Sequence, residues 1–248
     1  MSVGSINTLG PIIQLNQVQR DTAKTLNQLA TGQRINSAAD DPAGLGISER
    51  MKAQINQNEA QVRNLSMGSN FNETAEGALS GINEALGHIQ ELTVQAQDVM
   101  LTSSDRMAIQ EEIDQLSTSI RDTVLSTKFN DLKVLPAALP DLLKLSQINV
   151  LSDPNQASQT ALEAIDTVSS LRAGLGSSIN AAEHTINALN NATINTVAAE
   201  SQISDLDIAK AVSDLAAQNT RRHLAIGAFK LATKANEETT GSLLSTIV

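Results

Sequence analysis

Apolar and polar residues alternate along this chain with helical spacing, and the pattern is punctuated in the same way near each end. Leu15, Val18, Thr22, Thr25 and Leu29 step by three and four, the spacing of one helix face. The pattern stops at Gly32, and glycine is the usual residue just past a helix end, where the backbone turns left-handed. It restarts after Asp41 and Pro42. Asp41 is placed to accept hydrogen bonds from the first free amides, and Pro42 sits where its missing N–H costs nothing. Gly32, Asp41 and Pro42 therefore predict a joint between two helices.

Beyond the joint, Met51, Ile55, Asn58, Val62 and Leu65, then Ala75, Leu79, Ile82, Leu86 and Ile89, keep the alternation. No proline interrupts the stretch from Ala43 to Met100, so one helix of roughly 85 Å is predicted at about 1.5 Å per residue. Thr102 to Asp105 reads as a capped turn, followed by a third helix through Ile109, Ile113, Leu116, Ile120 and Val124. Between Phe129 and Leu151 the period changes to two at Leu132 and Val134 and again at Ile148 and Val150, with Pro136 and Pro140 between. A small hairpin or pair of short strands is expected there. Asp153 and Pro154 repeat the start signal, and Leu162, Ile165, Val168, Leu171, Leu175, Ile179, Ile186 and Leu189 predict a second long helix, the natural partner of the first. Polar and acidic residues from Ser201 to Asp207 interrupt it, and a last helix begins at Ile208.

The expected fold is mainly α: long antiparallel coiled-coil helices formed by the N- and C-terminal regions, with a small β-hairpin insert. The expected division is a terminal helical part, residues 1–43 with 202–248, and a long-helix part, 44–201, carrying the hairpin near 129–151. The terminal stripes are Ile6, Leu9, Leu15, Val18 and Leu29 at one end and Ile208, Val212, Leu215, Ile226 and Phe229 at the other. Nothing within the chain obviously covers both. An uncovered stripe implies a partner, and a second copy is the simplest one. Ordering a residue costs roughly 1–2 kcal/mol, and burying a medium apolar side chain returns about 1.5–3 kcal/mol. The two are of similar size, so the terminal helices should become ordered only when several neighbours pack on them.

Composition narrows the function. Aromatic residues are Phe71, Phe129 and Phe229 alone, which favours narrow aliphatic seams over a round core. A formal net charge of −10 argues against nucleic acid as a partner. With no cysteine, disulfide and thiolate chemistry are excluded. No apolar run approaches the roughly 20 residues of a membrane span, and no broad apolar face suggests a membrane-acting translocator. The first residues lack the basic patch and apolar core of a secretory signal, so export by a route that cleaves none is expected.

No catalytic or metal constellation emerges, and no cofactor is expected. His88, His184 and His223 are far apart in sequence and none lies in a His-Glu-x-x-His pair. Asp40 with Asp41, and Asp205 with Asp207, stand at predicted helix starts, where capping is the simpler role. Gly44-Leu45-Gly46 is too short for a phosphate loop.

The run from Ala30 to Gly44, Ala-Thr-Gly-Gln-Arg-Ile-Asn-Ser-Ala-Ala-Asp-Asp-Pro-Ala-Gly, resembles the N-terminal signature of bacterial flagellins. The block Ala198-Ala199-Glu200-Ser201-Gln202-Ile203-Ser204-Asp205-Leu206-Asp207 resembles their C-terminal signature. The resemblance implies a secreted, non-enzymatic subunit of the extracellular flagellar filament, polymerised with many copies of itself into a helical tube whose rotation propels the cell. It implies terminal helices on the inner wall, type III export, an export chaperone on the C-terminal helix, and hook-associated and cap proteins as further partners. The insert is short, which implies a subunit without large outer domains. A hook–filament junction protein is the alternative with the same architecture; the wording of both signatures favours the filament subunit. Many flagellins are detected by a Toll-like receptor through a surface that here includes His88, Leu92 and Glu112. His88 stands where recognised flagellins carry arginine, and a mostly neutral imidazole lacks the guanidinium fork. Weak or absent recognition is expected.

Overall fold

The computed structural model describes residues 9–247, and Ile6 lies outside them. The elements run α1 (Leu9–Thr31), α2 (Pro42–Gln95), α3 (Ser103–Ser126), β1 (Lys128–Phe129), β2 (Leu132–Lys133), α4 (Leu139–Leu142), a 3-10 turn (Leu145–Gln147), α5 (Pro154–Ser204) and α6 (Ile208–Ile247). Packing separates them into two units. One takes in the described residues up to Asn56 and from Thr193, the other Gln57–Ala192.

In the second unit α2, α3 and α5 enclose an aliphatic core. Leu79, Ile82, Leu86 and Ile89 of α2 meet Ile113, Ile120 and Val124 of α3 and Ala157, Ala161, Ala164 and Val168 of α5. Polar ties between α2 and α5 fix an antiparallel register, Gln90 Nε2 to Ser158 Oγ at 3.0 Å, Arg172 to Glu76 at 2.6 Å and Asn72 to Ser178 at 3.1 Å. The α5 seam keeps Ile165, Val168 and Leu175 of the predicted stripe but not Leu162 and Leu171. Leu162 is 49% exposed while Ala157, Ala161 and Ala164 are buried, because small side chains fit where three elements crowd one helix face. α3 opens with a reciprocal cap: Thr102 Oγ1 accepts from the Asp105 amide at 3.3 Å, and the Thr102 amide donates to the Asp105 carboxylate at 2.9 Å.

β1 and β2 form an antiparallel hairpin with Lys128 opposite Lys133 and Phe129 opposite Leu132. Its two turn residues, Asn130 and Asp131, have φ of 50° and 62°, a left-handed pair that these side chains tolerate. Phe129 packs edge-on against Phe71, ring centroids 6.0 Å apart. The hairpin ends at Lys133, and the expected strand at Ile148 and Val150 is absent. Both residues are buried, but their backbone groups bond to a side chain instead of a strand. Gln110 Nε2 donates to the Ile148 carbonyl at 3.2 Å, and Gln110 Oε1 accepts from the Val150 amide at 2.8 Å.

Candidate functional site

The first unit holds both joints and both terminal helices. α1 ends on Gly32, whose φ of 71° turns the chain out of the helix. α2 begins at Pro42, with Asp41 Oδ1 accepting from the Gly44 amide at 2.9 Å. At the other end Asp207 Oδ1 accepts from the Lys210 amide at 3.0 Å to open α6. The two joints pair directly through a short bridge, Gln33 with Asp205. Its bonds run from the Arg34 amide to the Ser204 carbonyl at 2.7 Å and from the Leu206 amide to the Gly32 carbonyl at 3.0 Å. The Arg34 guanidinium adds a bond to the Ile203 carbonyl at 2.5 Å, and Gln28 Nε2 donates to the Arg34 carbonyl at 2.6 Å.

Asp40 does not cap α2. Its Oδ2 accepts from the amides of Asn36 and Ser37 at 3.1 and 3.0 Å, and its Oδ1 lies 2.8 Å from Lys24 Nζ of α1. The Lys24 ammonium first, then those amides and the Ser37 hydroxyl, outweigh partial desolvation and hold the Asp40 carboxyl down at about 2 against an ordinary 3.8. Asp205 accepts from the Ser201 hydroxyl. Beside the joints, Glu200 accepts from Ser48 Oγ at 2.6 Å and lies 3.7 Å from Lys52, tying the start of α2 to the end of α5. Gly44 is buried under Ile35, and a β-carbon there would stand 2.8 Å from Ile35 Cδ1.

The terminal helices cover each other, which the sequence pattern did not show. α1 and α6 pack antiparallel, with Thr22 and Thr25 of α1 and Ala211 and Ala225 of α6 buried between them. Gln218 Nε2 donates to Thr25 Oγ1 at 3.0 Å, and Gln218 Oε1 is buried with no hydrogen-bond partner among the described residues. Leu15, Val18, Leu29, Leu215, Ile226 and Phe229 are half-buried along this seam, while Ile208 and Val212 face solvent. The seam of α6 is thus turned by one residue toward alanine, because small side chains let two helices approach closely. The backbone of Leu9 opens α1. Large aliphatic side chains remain uncovered on both helices, including Ile13, Leu26, Leu224 and Leu231, the last two 68% and 72% exposed.

Of the receptor-surface candidates, His88 is exposed with Nδ1 3.7 Å from Glu91, Leu92 packs partly against the core, and Glu112 is exposed on α3. No hydrogen bond or ion pair among the described residues joins the three. Among the described residues no group of three or more His, Asp or Glu side chains could hold a metal ion, and no helix is long and apolar enough to cross a membrane. The first unit offers two paired joints, a polar seam and uncovered aliphatic side chains.

Comparison with known proteins agrees with this reading. Residues 7–138 match the bacterial flagellin N-terminal helical region, and residues 155–239 match the bacterial flagellin C-terminal helical region. A flagellin of Halalkalibacterium halodurans is 37% identical, the alignment covering 84% of this chain and 85% of that protein. A flagellin of Bacillus subtilis is 31% identical over 88% of this chain and 90% of its own length. A flagellar filament 31.3 kDa core protein of Treponema maltophilum is 29% identical over 77% and 82%. With both of its halves matched and 85–90% of the two flagellins' lengths covered, the chain belongs to the bacterial flagellin family.

Proposed function

We propose that this chain is the structural subunit of a bacterial flagellar filament, polymerising through its terminal helices into the extracellular tube that drives swimming. One observation carries the reading. The most buried positions between α1 and α6 are threonine and alanine, tied by glutamine, while Ile13, Leu26, Leu224 and Leu231 stay in solvent. A monomer gains nothing from that arrangement, whereas sister copies packed around it bury those side chains. The helix pair is accordingly marginal alone, and residues 1–43 with 202–248 complete their ordering on assembly. Before assembly an export chaperone shields the C-terminal helix, and in the finished organelle hook-associated proteins and a cap flank the polymer. Toll-like receptor recognition is weak, since His88 offers no guanidinium. The relatives' description as flagellin and filament core protein favours the filament over the hook–filament junction. Electron microscopy of the purified chain after seeding with filament fragments tests the proposal: long tubes support it, and short capped stubs or no growth refute it.

A further inference from the structure

Two exposed features of the second unit carry charge of opposite sign, and among the described residues neither has an ion-pair partner. The hairpin sets Lys128 directly opposite Lys133, and like charges facing each other across a ladder are unfavourable. The placement is the more pointed in a chain with 17 basic against 27 acidic residues. Among the described residues neither lysine forms an ion pair. Asp131 in the turn is the one acid on the hairpin, which keeps a net positive charge, and Leu132 beside the lysines is 65% exposed.

The second feature is the outer face of α3. Glu111, Asp114, Gln115, Thr118, Ser119 and Asp122 line a shallow groove of about 520 Å³. Asp114 accepts from Gln110 Nε2 at 2.9 Å, and no cation among the described residues pairs with any of the three carboxylates. Arg121 lies about two turns beyond Asp114 and about 20° from it around the axis, so it flanks one edge of the stripe, where it forms no ion pair with these carboxylates among the described residues.

We propose that the Lys128–Lys133 hairpin of one copy docks on the acidic α3 face of the next copy in the filament. The inference rests on the filament reading, and charge complementarity selects the occupant: both halves of the contact are present on every copy, with opposite sign. The hairpin follows the C-terminal end of α3, whereas the groove runs back from Asp122 to Glu111, about 17 Å at 1.5 Å per residue. Two different patches offset along one unit make a heterologous contact, the kind that repeats from copy to copy and builds filaments. Opposite charges at such a surface set register and speed encounter more than they add affinity.

The chain has no cysteine, so engineered pairs report cleanly. The variant carrying Lys133→Cys and Asp122→Cys, polymerised on seeds and then oxidised, is expected to give a ladder of covalent multimers on a non-reducing gel. The same variant oxidised as dilute monomer is expected to give none. In parallel, K128E with K133E should raise the concentration needed for polymerisation at least tenfold. Adding E111K and D122K in the same chain should restore it, and 0.5 M salt should shrink the difference. All these positions are exposed, so each monomer should keep the wild-type circular dichroism and melting temperature. The contact is overturned if K128E with K133E polymerises like wild type, if the charge swap restores nothing in a folded chain, or if cross-linking stops at a closed dimer. A wild-type chain that forms no filament on seeds overturns the filament reading and this contact with it, which separates the two failures.

Discussion

Gly44 is the position where the packing of the N-terminal joint is tested most sharply. Replacing a helical glycine by alanine ordinarily stabilises by about 0.8–1 kcal/mol. At Gly44 the added methyl would lie 2.8 Å from Ile35 Cδ1 and 2.8 Å from Asp41 Cγ. Neither neighbour yields easily, because Ile35 is buried and Asp41 is fixed by its bond to the Gly44 amide at 2.9 Å. Overpacking of this kind costs about 1–3 kcal/mol, so Gly44→Ala should be net destabilising by up to about 2 kcal/mol. Gly46, two residues on in the same helix, has nothing within 4 Å of the corresponding methyl. Gly46→Ala should therefore stabilise by about 0.5–1 kcal/mol. Urea dissociation of filaments of the two variants, in which the joint is ordered, compares them at 222 nm, with amide exchange over residues 33–45 localising the effect. The reasoning fails if the two variants are equally stable, or if exchange in the joint is unchanged by Gly44→Ala.

Three further outcomes follow from the same geometry. Asp40→Asn should cost the assembled subunit about 1–2 kcal/mol at pH 7 once the half-exposed Lys24 is discounted for screening; since the native pKa lies below the unfolded one, the difference should be complete above about pH 4 and vanish toward pH 2, as urea dissociation of filaments across that range would show. Gln110→Leu should cost about 2–4 kcal/mol, read as a fall in melting temperature, because it strands the buried Ile148 carbonyl and Val150 amide. Leu224→Ser with Leu231→Ser should leave the monomer's melting unchanged, since both side chains are exposed, yet raise the critical concentration for filament growth at least tenfold.

Sequence and structure agree wherever the chemistry is local. Gly32, Asp41 and Pro42 announce the joint because a left-handed turn, a cap and a missing amide each depend on a few adjacent residues. Thr102 and Asp105 announce the start of α3 for the same reason. Agreement ends where a distant side chain decides. Ile148 and Val150 have a strand's alternation, but the amide of Gln110, some forty residues earlier, supplies the bonds a neighbouring strand would have given. Asp40 reads as a cap until Lys24 of α1 is brought beside it. On α5 and α6 the apolar stripe is wider than the seam: Val168, Ile165 and Leu175 on α5 and Leu215 and Ile226 on α6 pack where the stripe places them, while other large aliphatics fall at its edge. Close helix approach selects Ala157, Ala161 and Ala164 on α5 and Ala211 and Ala225 on α6, and leaves Leu162, Ile208 and Val212 outside.

Hydrogen exchange of the monomer against the assembled filament tests the central claim most directly, because it reads ordering amide by amide. The amides of α1 and α6 should exchange rapidly in the monomer and become strongly protected in the filament, while those around Leu79, Ile113 and Val168 stay protected in both. Terminal helices already protected in the monomer, or still unprotected in the polymer, would contradict the account.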